Sequence, residues 1–424
     1  MPFMKQVIPI LLLLAGLQTF AADSPRERLL MDFNWRFHLG DAPDAGSQFD
    51  YPEVKDLAKT KVNEVGEGAR LVASLPDPAA MNLGANVSFV KPDFDYSGWR
   101  KLDLPHDWAV ELPFNENADL KHGFKPVGDG FPENSIGWYR RAFDLPASDK
   151  GRALWIEFDG VYRNSLVWLN GHCLGRNVSG YSSFRYDISK AANYGGKNEL
   201  VVRVDASRFE GWFYEGAGIY RHVWLEKAAA IHVAPHGIFV YSKFTNDVPE
   251  GPVTANVETR LDAPNPYINA TVQQEIFSPE GKSVAKFVQS DPVDHDSKAA
   301  MTFTSSELWS PETPRLYRLV TTVEIGGQIV DRVETPFGIR TIAFDAEKGF
   351  LLNGKPYVIK GTCNHQDHAG VGAAMPDALQ YFRIKKLKEM GSNAIRTSHN
   401  PPTPELLDAC DRLGMLVMDE NRRV

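Results

Sequence analysis

A chain of 424 residues is longer than one compact domain, and at roughly 150 residues apiece about three are expected. Hydrophobic residues make up 43% and charged ones 24%, the balance of a globular protein with large cores, which excludes disorder over most of the length. Lys and Arg total 46 against 54 Asp and Glu, and the resulting −8 excludes a binder of nucleic acid or anionic membrane that works by displacing counterions.

Aromatics reach 11% with 9 Trp, and we read them as fillers of β-sandwich cores ahead of platforms for sugar. Cys173, Cys363 and Cys410 are too few and too widely spaced for a disulfide framework. They read as small buried hydrophobes with at most one incidental pair. No CxxC or His-rich tract suggests a metal site, and no cofactor is evident.

Residues 1–22 read as a secretory leader. Lys5 supplies the positive end, Ile8 to Leu17 the apolar stretch, and Thr19-Phe20-Ala21 small residues for cleavage after Ala21. The protein is therefore expected to be exported, periplasmic or secreted. No other stretch approaches the ~20 apolar residues of a membrane span, so no membrane partner is expected after cleavage.

From 23 to 227 the pattern is all-β. Ala153–Phe158, Leu166–Leu169, Leu200–Val204 and His222–Leu225 are short β-rich runs, and Asn170-Gly171 is a hairpin signal. Many short strands with Gly and Asn turns predict a sandwich or jelly roll. Residues 41–92 are polar and rich in Pro, Gly and Ala, and read as a long surface insertion, part helical. From 228 to 338 alternation continues in Val253–Leu261, Tyr267–Phe277 and Leu316–Ile325, which fits one immunoglobulin-like sandwich. Trp309 to Pro314 form a proline-punctuated loop before its last strands.

After Gly338 the pattern becomes β-α-β-α-β. Strands are expected at Tyr357–Gly361, Ala394–Thr397 and Met415–Met418. Leu379, Phe382, Leu387 and Met390 recur at near-helical spacing, with Gly391 at the helix end. Thr403-Pro404-Glu405 reads as N-cap, N1 and first-turn acid of a second helix that stops at Gly414. Alternation with short connections means a parallel sheet, and each strand ends in polar residues: Asn364-His365, Ser398-His399 and Asp419-Glu420. A (β/α)8 barrel places its chemistry there, but it needs at least about 200 residues. Residues 339–424 suffice for two to three units, so the barrel is expected to be incomplete and the chain part of a longer protein.

Several motifs carry a resemblance. They include Leu104-Pro105-His106-Asp107-Trp108, Gly137-Trp138-Tyr139-Arg140 and Gly216 to Arg221, then Phe337-Gly338-Ile339-Arg340. The densest are Gly361 to His368, Asn393 to Pro401, Asp408 to Gly414 and Met418-Asp419-Glu420-Asn421-Arg422. With domains in this order, the chain resembles the glycoside hydrolase family 2 enzymes, most closely the β-galactosidases. The β-glucuronidase branch is similar but usually has a Lys-His-Glu-Asp type segment where Asn364-His365-Gln366-Asp367 stands here.

The resemblance implies retaining hydrolysis of a β-linked sugar by two carboxylates about 5 Å apart. Both family glutamates lie on later barrel strands, so acid/base and nucleophile are expected beyond Val424, and 1–424 alone is expected to be inactive. His365 and His399 follow neighbouring parallel strands and match histidines that bond substrate hydroxyls. A neutral imidazole suits that task, with one donor and one acceptor. Local loop hydrogen bonds are the alternative. Arg396 matches a supporting arginine, its alternative being a barrel salt bridge to Glu420. Asn400 is a rim contact or a turn residue before Pro401. Asp205 matches an acid that reaches the barrel mouth, or is a structural loop residue. Asp107 reads as a fold-holding turn residue ahead of a ligand, and Trp212 and Tyr214 as core ahead of stacking on sugar. The expected partner is a carbohydrate. Homo-oligomerisation, a β-glucuronidase specificity and a non-catalytic carbohydrate-binding role all stay open.

Overall fold

The structure is a computed structural model that describes residues 25–50, 77–211, 213–245, 248–265, 269–290, 295–304 and 307–421. Residues 1–22, read above as a leader, the middle of the 41–92 segment, Trp212 and Tyr267 lie outside them. Among the described residues no helix is long and apolar enough to cross a membrane.

The first domain is a jelly roll of two antiparallel sheets. One runs Arg100–Leu102, Trp35–Leu39, Ile136–Leu145, Gly196–Asp205, Ser165–Leu169 and His172–Asn177. The other runs Glu27–Leu30, Val223–Ala228, Ala153–Phe158 and Phe184–Asp187. Alternation decides what each strand buries. Tyr139, Val167, Leu169, Leu200 and Val202 face the inter-sheet core with Ile156, Phe158, Val223 and Leu225. Asn170 and Gly171, with φ of 51° and 80°, close the hairpin that their sequence signals.

The opposite face of the six-stranded sheet is also apolar, because Trp138, Leu166, Trp168 and Val201 point outward. The ends of the 41–92 segment cover it with Ala42, Phe49, Phe89 and Val90. For these two ends that corrects the surface-insertion reading: two tryptophans left in water would cost several kcal/mol, roughly 1.5–3 for each large apolar side chain, so residues 41–50 and 77–92 pack as a lid over them.

The second domain is a sandwich. Three strands, His232–Phe244, Pro252–Asp262 and Asp296–Thr304, oppose four, Ser283–Ser290, Thr271–Phe277, Leu316–Ile325 and Gln328–Gly338. Residues 342–356 then form a small antiparallel sheet that the sequence reading did not anticipate.

The third part is the opening of a TIM barrel. Strands Gly361–Asn364, Ala394–Thr397 and Leu416–Met418 pair in parallel. The first begins at Gly361 and not at Tyr357, because the Tyr357 amide donates to Phe350 O at 2.9 Å and is held by the preceding hairpin. Helix Pro404–Leu413 has the expected ends: Thr403 Oγ1 accepts from the Leu406 amide, and Gly414 stops it at φ 76°. Helix Asp377–Glu389 rotates away from the expected face. Ile384 is buried while Phe382 and Met390 are exposed, since Ile395, Leu406 and Met415 gather around Ile384. Cys173 and Cys410 are buried and all three cysteines are free, but Cys363 is exposed, against expectation.

Trp309 joins sandwich to barrel. It is buried against Ala394 and Leu416, and its Nε1 donates to Asp411 O at 2.9 Å. Lys388 Nζ adds bonds to Pro311 O and Gly414 O at 2.6 and 2.9 Å.

Candidate functional site

Three parallel strands in register must end along one edge. Asn364 pairs with Thr397, and Arg396 with Met418, so the residues just past them share the barrel mouth. His365 and His399 meet there, ring centroids 5.3 Å apart and nearly perpendicular. The convergence expected from the sequence is what the geometry places.

Each histidine is held from behind. Arg383, on the first barrel helix, donates to His365 O and Asp367 O at 2.7 and 2.5 Å, which fixes the loop carrying His365. His399 Nδ1 lies 2.8 Å from Glu420 Oε1, and the other Glu420 oxygen forms an ion pair with Arg396 Nη2 at 2.7 Å. The Glu420 amide donates to Thr397 Oγ1 at 3.0 Å. Glu420 therefore orients both neighbours: with the Nδ1 proton toward a carboxylate, Nε2 is the acceptor of a neutral His399 ring. Burial pushes the His365 imidazole below its ordinary pKa, Asp367 opposes this, and the nearby His399 adds to it. A neutral His365 offers one donor and one acceptor to a hydroxyl.

The strand's inner side continues the site downward. Gly361, Cys363, Ala394, Arg396, Leu416 and Met418 alternate onto one face, beside a cavity of about 500 Å³ also lined by Phe344 and Phe350. Arg396 Nη1 lies 3.7 Å from Cys363 Sγ.

The jelly roll supplies a wall that sequence reasoning missed. Phe213 packs its ring 4.7 Å from His365 and 5.7 Å from His399. The aromatic cluster in the Trp212–Arg221 segment was the available signal, but nothing in it distinguishes which ring reaches across. Tyr214, its neighbour, instead donates its hydroxyl to Asp107 Oδ2 at 2.7 Å.

Asp107 is the tie between domains. Its carboxylate also accepts from the amides of Ala109, Ala217 and Ala373 at 3.0, 2.9 and 2.9 Å. Ala109 and Ala217 belong to the jelly roll and Ala373 to the barrel loop. Gly216 and Gly372, at φ of 74° and 62°, let both backbones approach: a Cβ would lie 2.6 and 2.2 Å from Oδ2. Asp107 is fold-holding, as its sequence context implies.

Two further candidates are buried in hydrogen-bond networks. Asn400 is 2% exposed, and its Nδ2 donates to Gln366 Oε1 and Pro401 O, each at 3.0 Å. Arg221 of the jelly roll donates to the same two acceptors at 3.1 and 2.8 Å, so Asn400 belongs to an inter-domain network beside a small cavity that His365 also lines. Asp205 is buried, and its carboxylate accepts from Ser207 N and Oγ at 3.0 and 2.6 Å and faces Arg203 at 3.4 Å. Its position serves the jelly-roll strand end. Among the other barrel glutamates, Glu389 pairs with Lys386 on an outer helix and Glu405 faces His222.

Paired imidazoles, an Arg–Glu pair and an aromatic ring thus meet at the C-terminal rim of the barrel strands, on a scaffold of two β-sandwiches and an opening barrel. The comparisons agree. The models for glycosyl hydrolases family 2 match in three places: its galactose-binding domain-like part over residues 133–220, its central domain over 231–340 and its TIM barrel domain over 345–424. The chain belongs to glycoside hydrolase family 2. It is 38% identical over 403 residues to the β-galactosidase BoGH2A of Bacteroides ovatus, covering 94% of this chain and 41% of that protein. A crystal structure of a family 2 member from Bacteroides cellulosilyticus superposes with TM-score 0.78 at 30% identity, covering 93% of this chain and 46% of that one. A β-glucuronidase from Bacteroides uniformis gives 0.73 at 26%, covering 93% and 42%. The chain thus spans less than half the length of each.

Proposed function

We propose that residues 1–424 form the sugar-holding part of an exported retaining β-galactosidase whose two catalytic carboxylates come from barrel strands outside this stretch. The observation that carries the reading is the His365–His399 pair, 5.3 Å apart and braced by Glu420 and Arg383. Imidazoles in fixed orientation discriminate hydroxyl positions, because a misplaced hydroxyl leaves a ring nitrogen without its partner. The likeness to the Bacteroides ovatus β-galactosidase supports the galactoside. The likeness to a β-glucuronidase supports the alternative sugar acid.

The test is hydrolysis of 4-nitrophenyl β-D-galactoside and β-D-glucuronide by the complete gene product and by purified 1–424. Turnover of the galactoside by the complete protein alone is the expected result. Preference for the glucuronide refutes the sugar assignment, and turnover by 1–424 refutes the placement of the carboxylates. His365→Ala and His399→Ala in the complete enzyme are expected to lower kcat/KM at least tenfold.

A further inference from the structure

The seam between jelly roll and barrel holds a second constellation, assembled from residues the sequence reading never connected. His222 precedes the strand Val223–Ala228. Asp377 opens the first barrel helix and Glu405 lies in the first turn of the second. One donor atom from each lies within 4.8 Å of the others. His222 Nε2 is 2.8 Å from Asp377 Oδ1 and 4.0 Å from Glu405 Oε1.

The other side of the imidazole is fixed as well. His222 Nδ1 lies 2.5 Å from Asp32 Oδ2, and Asp32 Oδ1 accepts from the Val223 amide at 3.1 Å. The Trp224 ring packs against the imidazole at 5.5 Å. A carboxylate on one nitrogen orients the ring, as it does for metal-bound histidines, and an ion would take the place of the proton that Nε2 now shares with Asp377. Here that nitrogen points between two carboxylates that no lysine or arginine pairs with in the ion pairs described. Asp32, Asp377 and Glu405 carry three negative charges against at most one on His222, and Asp159 bears on Glu405 as a fourth. Beside Asp377 and Glu405 a cleft of about 450 Å³, also lined by Tyr381 and Asp408, gives solvent access for an ion and its water ligands.

We propose that His222, Asp377 and Glu405 form a site for a first-row divalent cation, with Asp32 orienting the histidine and water completing the coordination. One imidazole nitrogen with two carboxylates suits zinc or its neighbours, whereas calcium prefers six to eight oxygens. Because His222 belongs to the jelly roll and the two acids to the barrel helices, a bound ion cross-links the domains behind the His365–His399 mouth. The proposal does not depend on which sugar the mouth accepts, or on whether it accepts one.

The experiment is isothermal titration of chelator-treated protein with zinc chloride, repeated with manganese and calcium chlorides. The ring resonances of His222 are followed by NMR in parallel. One equivalent of zinc in the micromolar range or tighter is expected, tighter than calcium, with the His222 signals shifting. Glu405→Gln and Asp377→Asn are each expected to weaken binding at least tenfold, and Asp32→Asn about tenfold. His399→Ala is the control for zinc captured by the other histidine pair and is expected to leave binding unchanged. No binding below about 1 mM, equal binding in the Glu405 and Asp377 variants, loss with His399→Ala, or tighter binding of calcium overturns the proposal. Circular dichroism checks that each variant is folded. Should one unfold, the NMR titration of the parent protein still decides, because unmoved His222 resonances under saturating zinc refute the site.

Discussion

Replacing Asp107 by Asn isolates what one buried carboxylate contributes to the junction between jelly roll and barrel. Four donors point at it: the Ala109 and Ala217 amides on Oδ1, and the Tyr214 hydroxyl and Ala373 amide on Oδ2. Burial pushes its carboxyl above the ordinary range even against those four donors, so its charge is costly to hold and repaid only while all of them engage. In Asp107→Asn the remaining oxygen keeps Ala109 and Ala217. The new amide group faces Ala373 N–H, a donor that cannot turn away, and Tyr214, whose hydroxyl can. One buried amide loses its acceptor, at about 1–3 kcal/mol, and the retained bonds lose their charge. Relief from burying an ion offsets part, leaving about 2 kcal/mol of destabilisation. Asp107→Ala strands all four donors and opens space, and is expected to cost about 4 kcal/mol. Urea unfolding followed by far-ultraviolet circular dichroism and by tryptophan fluorescence gives both values. An Asn variant within about 0.5 kcal/mol of the parent, or one as destabilised as the Ala variant, refutes the four-donor reasoning.

Three further changes test other links. Trp309→Ala removes the buried ring between sandwich and barrel together with its bond to Asp411 O, and should cost about 3–5 kcal/mol in the same unfolding assay. Burial opposes ionisation of Glu111, but hydrogen bonds from His106 and Arg100 draw its carboxyl down to about 2. A depressed carboxyl stabilises above its unfolded value, roughly 4.3, and loses that contribution as pH falls toward 2. Because the pair is well exposed, screening limits the effect to about 1 kcal/mol or less. Thermal unfolding should therefore separate Glu111→Gln from the parent at pH 7 and bring the two together near pH 2. Glu420→Gln in the complete enzyme releases His399 and Arg396 from a shared carboxylate. It is expected to lower kcat/KM at least tenfold while changing stability by less than about 1 kcal/mol, since the group is part exposed. A stability loss without a kinetic one refutes its orienting role.

Local grammar was legible in the residues themselves. A β-rich run located the jelly-roll strand Ala153–Phe158, and alternation the sandwich strand Leu316–Ile325. Asn170-Gly171 located a hairpin, and Thr403, Pro404 and Gly414 bounded a helix, because caps and turns are decided by backbone geometry a few residues long. Parallel order put His365 and His399 at one rim for the same reason: strand direction alone determines which ends coincide. The tertiary structure decided everything that depends on what lies opposite. The exposed face of the six-stranded sheet needed a cover before residues 41–50 and 77–92 could be seen as one. The buried face of helix Asp377–Glu389 followed Ile395 and Leu406, not the helix's own spacing. Phe213 rather than Tyr214 meets the histidines, and Asn400 turns inward to Gln366, because the jelly-roll segment docks on the barrel loop around Asp107. The set formed by His222, Asp377 and Glu405 spans 184 positions of chain and is joined by that same docking. Contacts between surfaces far apart in sequence depend on shape and charge summed over both partners, and no short window of residues contains that sum.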